Sequence, residues 1–119
     1  MSNVGRGIAG ERRAWHSLED AGYLVASRRH IGGAGDLLAI EWPPQWDGIS
    51  WDLEPVRRYE HLPPLLIEVK TSARAFSSFS LVDRSVLLET AHEYGCEPLL
   101  CWTPSASTIF YIPEDEWPS

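Results

Sequence analysis

Apolar and polar positions alternate along this chain with two different periods. Short runs of β-favouring apolar residues, bounded by glycine, proline or charge, indicate strands. The strands predicted in this way cover residues 23–27, 35–40, 65–70, 98–102 and 108–112. They are enough to form one mixed sheet.

Residues 6–21 have the spacing of an amphipathic helix instead. Ile8, Trp15 and Leu18 fall on one side of it, and Gly22 follows as a C-terminal stop. Glu11 lies at the edge of this apolar stripe, where a carboxylate facing inward needs a partner. From periodicity alone, Glu11 pairs with Arg12 or Arg13 at the rim or points into a site.

A second helix is predicted between the third and fourth strands, over residues 80–94. Ser80 followed by Asp83 resembles a capping box, and Gly95 supplies the stop. The apolar stripe predicted to pack on the sheet comprises Val82, Val86, Leu87 and Ala91. The predicted fold class is therefore α/β, with a mixed five-stranded sheet flanked by helices.

Three charged residues at the ends of apolar strands are the candidate chemistry. Glu68 and Lys70 share one face of their strand, roughly 7 Å apart. If the strands at 35–40 and 65–70 pair antiparallel, Asp36 lies beside them. Two carboxylates held together need a cation, and ligands that are all oxygen suit Mg²⁺ or Mn²⁺.

Composition narrows the class of protein. A chain of 119 residues with 44% hydrophobic residues and six Trp predicts one folded domain, residues 1–119. Cys96 and Cys101 cannot build a disulfide framework, which favours a reducing cytoplasm, and we expect both to be core thiols. No apolar run approaches the ~20 residues that span a bilayer. The four histidines are scattered, and no nucleophile triad or zinc motif is present.

The net charge of -7 argues against a nucleic-acid partner, because phosphate binding depends largely on Lys and Arg. The distribution weakens this objection. Residues 1–35 hold five Arg against three acids, so the basic residues concentrate near Glu11 and the Gly-rich loop. A bound divalent cation would also invert the local sign around the acidic cluster.

An acidic residue followed, after a gap, by Glu-x-Lys at the end of an apolar strand resembles the PD-(D/E)XK nucleases. Within that superfamily the chain is most similar to the archaeal-type Holliday junction resolvases (the Hjc family), which also occur in some viruses. The resemblance rests on Glu11-Arg12 in the first helix, Asp36, and Glu68-Val69-Lys70, in that order. It implies a restriction-endonuclease-like fold and a homodimer in the cytoplasm of a cell or viral host. The implied activity is Mg²⁺-dependent cleavage of four-way DNA junctions by paired nicks.

The resemblance also implies a role for each site residue. Asp36, Glu68, the Val69 carbonyl and Glu11 would hold the metal ion, and Lys70 would position the attacking water. The residues expected to contact DNA are Arg12, Arg13, Ser27, Arg28, Arg29 and Arg74. From the residues alone, these arginines are as well explained as solvated charges, and residues 71–80 as a mobile flap or a solvated connector.

The chain departs from the family between the two motifs. Residues 42–64 form a Trp- and Pro-rich insertion, which could cover an edge, extend a dimer interface or touch a DNA arm. Residues 113–119 form an acidic tail that we expect to fray unless Trp117 anchors it. Two other functions remain open: a repair, flap or restriction-type nuclease, and a catalytically silent DNA-binding or interaction module.

Overall fold

The computed structural model describes residues 3–28, 34–41 and 63–118. Arg29, most of the Gly-rich loop and the insertion through residue 62 lie outside these ranges. The described elements, in chain order, are α1 (Asn3–Asp20), β1 (Tyr23–Ser27), β2 (Leu37–Glu41), β3 (Leu65–Lys70), α2 (Leu81–Tyr94), β4 (Glu97–Ser105) and β5 (Thr108–Pro113).

The strands form one five-stranded sheet in the order β1-β2-β3-β4-β5. Its pairs are antiparallel except β3 with β4, which run parallel because α2 provides the crossover between them. The predicted α/β class, with a mixed five-stranded sheet flanked by helices, is confirmed. The predicted antiparallel pairing of β2 with β3 is also confirmed, and it determines the geometry of the candidate site.

The face of the sheet toward α1 holds the larger apolar cluster. Ala14 and Leu18 of α1 pack against buried residues of four strands, including Leu37, Ile67 and Cys101. The contact between α1 and this face includes Gly10, where an added Cβ would clash with the Cγ2 atom of Thr71. Of the predicted stripe, Leu18 is buried in this cluster and Trp15 packs against it, whereas Ile8 is only partly buried.

The opposite face is covered by α2, whose ends were predicted correctly. Ser80 accepts a hydrogen bond from the Asp83 backbone N–H at 3.1 Å, and Gly95 ends the helix with a positive φ of 67°. Leu87 and Ala91 are buried against the sheet, whereas Val82 is 72% exposed.

The prediction that Val82 and Val86 pack on the sheet was wrong. Apolar residues occur around most of α2, so periodicity did not select one face. Leu87 and Ala91 are the residues that pack with Leu66, Phe79 and Leu100, so long-range packing selects the buried side of the helix.

The loop after β3 and the C-terminal tail are more ordered by packing than the sequence indicated. Phe79, in the loop after β3, is fully buried, and Trp117 meets its ring edge-on at 5.1 Å. Trp117 also donates to the Ile112 carbonyl at 2.9 Å, after a 3-10 turn at Glu114–Glu116. Trp117 therefore anchors the acidic tail to the α2 face. Cys101 is buried as expected of a core thiol, while Cys96 is only partly buried.

Within the ranges given above, neither helix combines the length and apolar character needed to cross a bilayer.

Replacing Leu87 with Ala should lower the free energy of unfolding by about 2–5 kcal/mol, because it leaves a cavity in the α2 cluster. The matched change Val82→Ala, on the exposed side of the same helix, should cost within about 0.5 kcal/mol. Urea unfolding of both variants measures the difference. Equal losses would contradict the orientation of α2 described here.

Candidate active site

Two pairs of adjacent residues, Gly35-Asp36 before β2 and Glu68-Val69 near the end of β3, are joined by two hydrogen bonds. The Asp36 carboxylate accepts a hydrogen bond from the Val69 backbone N–H at 2.7 Å. In return, the Glu68 carboxylate accepts one from the Gly35 backbone N–H at 3.2 Å. These two bonds cross between the strands in opposite directions, so the carboxyl groups of Asp36 and Glu68 lie together at one end of the sheet.

Gly35 is required for this arrangement. Its φ is +88°, a conformation that L side chains rarely adopt, and an added Cβ would lie 2.6 Å from a Leu66 methyl group. The tight approach brings its N–H to Glu68. The sequence predicted a strand from residue 35, whereas β2 begins at Leu37, and the positive φ of Gly35 was not predicted.

Lys70 supplies the positive charge of the cluster. Its Nζ lies 3.4 Å from Glu68 Oε1, and the side chains of Lys70 and Glu68 are 21% and 18% exposed. Strand alternation places both on one face, as predicted. Asp36, Glu68 and Lys70 are therefore brought together, with two carboxyl groups and one ammonium group.

Burial and the nearby negative charge shift the ionisation of Asp36. Burial, the larger cause, and the charge of Glu68 together raise the pKa of Asp36 to about 7. The hydrogen bond from Val69 and the charge of Lys70 act in the opposite direction but do not compensate. Burial likewise raises the pKa of Glu68, although Lys70 opposes the shift. The folded structure therefore disfavours the ionised form of both carboxyl groups.

Glu11 of α1 interacts electrostatically with Asp36. It is close enough to raise the pKa of Asp36, although less than Glu68 does. Among the residues that the structure describes, no three His, Cys, Asp or Glu side chains group as metal ligands. Direct ligation by Glu11 thus stays a prediction.

An open groove of about 340 Å³ lies between α1 and the first two strands of the sheet, and neither Asp36 nor Glu68 lines it. Glu11, Arg12 and Ser27 line it, together with Leu37, the residue that follows Asp36. Three predicted site residues are therefore gathered on one surface. Arg12 and Ser27 are exposed there, as DNA contacts would have to be.

The remaining predicted DNA contacts are more varied in their surroundings. The Arg13 guanidinium donates to the Thr103 hydroxyl and carbonyl at 2.8 and 3.0 Å, which ties α1 to β4. The Arg28 guanidinium donates to the Ala34 carbonyl at 2.5 Å, which helps to hold the segment that leads to Asp36. Arg74 is exposed in the loop after β3, and Arg29 lies outside the described residues.

Thr103 was missed by sequence reasoning. It is fully buried, and its hydroxyl accepts from Arg13 and donates to the Ser105 carbonyl at 3.2 Å. Nothing in its neighbourhood along the chain indicated a partner ninety positions away. The pair holds α1, and hence Glu11 and Arg12, in position on the sheet.

The donor set of this site fits a hard divalent cation. Asp36 and Glu68 offer oxygen only, and Mg²⁺ is commonly held by one or two carboxylates while it keeps several waters. A cation would also offset the crowding of negative charge that raises the pKa of Asp36.

A scan of protein-family models found no match to this chain, and a search of curated proteins found none either. Among solved structures, the fold is similar to that of Hjc, a Holliday junction resolvase from the archaeal hyperthermophile Archaeoglobus fulgidus. The TM-score is 0.63 and the identity 17%, and the match covers 91% of this chain and 72% of that one. At this identity the likeness establishes a common fold, and it gives no support to a viral origin.

The raised pKa of Asp36 predicts how stability depends on pH in the absence of metal. The folded state binds the proton more tightly than the unfolded chain, whose value is 3.8. The resulting stabilisation is complete below pH 3.8 and is lost as the pH rises through about 7. It amounts to at most about 4 kcal/mol.

Urea unfolding of the wild type and of Asp36→Asn between pH 4 and 8, both in EDTA, measures this contribution. The free energy of unfolding of the wild type should fall relative to that of the variant as the pH rises from 4 to 8, because only the wild type loses the proton on Asp36. Curves that stay parallel over this interval would show that the Asp36 carboxyl does not carry the shift.

Proposed function

We propose that this protein is a metal-dependent endodeoxyribonuclease that resolves four-way DNA junctions. The observation that carries the proposal is the convergence of Asp36, Glu68 and Lys70 at one end of the sheet, where both carboxyl groups have raised pKa values. The similarity in fold to a Holliday junction resolvase supports the same activity. Strongly shifted ionisable groups that share an open edge are typical of functional sites.

Asp36 and Glu68 would hold Mg²⁺ or Mn²⁺, with the Val69 carbonyl and Glu11 as further oxygen donors. When bound, the metal supplies a water of lowered pKa and a positive charge opposite the reacting phosphate. The chain fixes both carboxylates beforehand through the N–H groups of Gly35 and Val69. Such preorganisation avoids rearrangement at the moment of reaction.

Lys70 acts beside the carboxylates. Its ammonium group is a donor held near Glu68, so it can orient the attacking water and stabilise the negative charge that builds up on the phosphate oxygens. The products would carry a 5′-phosphate and a 3′-hydroxyl.

The groove lined by Glu11, Arg12 and Ser27 would receive the DNA backbone, with Arg28, Arg29 and Arg74 as further contacts and Arg13 acting mainly through Thr103. Recognition by phosphate contacts and shape suits a branched substrate without a fixed sequence. A four-way junction is two-fold symmetric, so paired nicks call for a homodimer with two sites.

Cleavage assays on variants test the assignment of roles. Asp36→Asn and Lys70→Ala should each slow Mg²⁺-dependent cutting of a synthetic four-way junction by about 100-fold or more, while junction binding is retained. Asp20→Asn is the matched control, because it removes one carboxylate at the exposed end of α1 and should leave cleavage unchanged. The measurement compares junction with matched duplex, in Mg²⁺ and in EDTA.

The outcomes separate the competing functions. Equal cutting of flapped or linear DNA would point to another nuclease of this fold. Binding without any cutting by the wild type would indicate a catalytically silent module. Full cleavage by the double variant of Asp36 and Lys70 would disprove the site.

A further inference from the structure

We propose that Trp102 and Phe110 form a stacking platform for an unpaired nucleobase of the DNA at the candidate site. The inference rests on the proposed function and assigns to that site a base contact in addition to its backbone contacts. Trp102 and Phe110 played no part in the sequence-based site.

The platform belongs to the same row of the sheet as Lys70. Lys70 of β3 is the register partner of Trp102 of β4, and Trp102 is in turn the partner of Phe110 of β5. Side chains of partnered residues point to the same face of a sheet. Neighbouring strands lie ~4.8 Å apart, so Phe110 is about 10 Å from Lys70, roughly three stacked base steps.

The two rings are fixed in a stacked arrangement. Their centroids lie 5.3 Å apart with 22° between the planes. The indole N–H of Trp102 donates to the Ser72 carbonyl at 2.8 Å, which also ties down the chain just after Lys70. The platform is therefore rigid, and a rigid aromatic surface loses little conformational entropy when a ligand stacks on it.

The outer part of this row is open. Elsewhere the same face of the sheet is covered, because Leu100 and Ile112, two residues away along β4 and β5, pack in the cluster with Leu87 of α2. Phe110, in contrast, is 50% exposed. An exposed phenyl ring supported by an indole, about 10 Å along this row from Lys70, is an apolar surface at the edge of a polar site.

An unpaired nucleobase fits this surface best. In a duplex both faces of each base are covered by neighbours, whereas bases at a branch point can unstack and meet an aromatic ring. Phe110 has no hydrogen-bonding group, so it would accept any base. This tolerance matches a substrate recognised by its branched shape.

Phe110→Leu tests the platform, because it keeps an apolar side chain of similar size but removes the aromatic face. Tyr94→Leu is the matched control, because Tyr94 is an aromatic residue at the C-terminal end of α2 that is 69% exposed. Phe110→Tyr should behave as the wild type. Thermal unfolding confirms that all three variants fold.

The probe is a four-way junction carrying 2-aminopurine at positions near the crossover, with binding measured in EDTA at fixed salt. The wild type, Phe110→Tyr and Tyr94→Leu should bind equally and change the fluorescence of at least one probe position. Phe110→Leu should bind about 5- to 100-fold more weakly and lose that change.

Equal affinity and an equal fluorescence change for Phe110→Leu would overturn the platform while leaving the proposed nuclease intact. Failure of the wild type to bind the junction at all would instead overturn the proposed function, and the platform with it.

Discussion

The structure depends on holding two carboxyl groups together at the meeting point of β2 and β3. Burial and mutual repulsion both oppose ionisation there, and Asp36 responds with a pKa raised to about 7. The fold offsets this through two backbone N–H groups and one ammonium group. The arrangement costs stability near neutral pH, so it is better explained by a use for the charge than by a contribution to folding.

The rest of the chain keeps that arrangement in position. The antiparallel register of β2 and β3 brings Asp36 to Val69, and Gly35 permits the close approach. On one face α1 is fixed by its apolar seam and by the contact of Arg13 with Thr103, which places Glu11 beside the cluster. On the other face, α2 covers the middle of the sheet and leaves Phe110 exposed at the outer end of the row that begins with Lys70 and Trp102.

Sequence alone was sufficient wherever a local rule decides the outcome. Strand positions followed from β-favouring runs, both ends of α2 from Ser80 and Gly95, and the shared face of Glu68 and Lys70 from alternation. It failed where long-range packing decides. The buried side of α2 is Leu87 and Ala91 because these residues pack with the cluster on the sheet, and no short pattern could link Arg13 to Thr103 or align Trp102 with Phe110.

The central claim is that the Asp36 and Glu68 carboxylates form one divalent-cation site. The most direct test is Mn²⁺ binding, measured by electron paramagnetic resonance, to the wild type and to Asp36→Asn/Glu68→Gln at pH 8. The wild type should bind Mn²⁺, and the double variant should lose this binding. Equal Mn²⁺ affinity of the two proteins would show that the two carboxylates do not form a cation site.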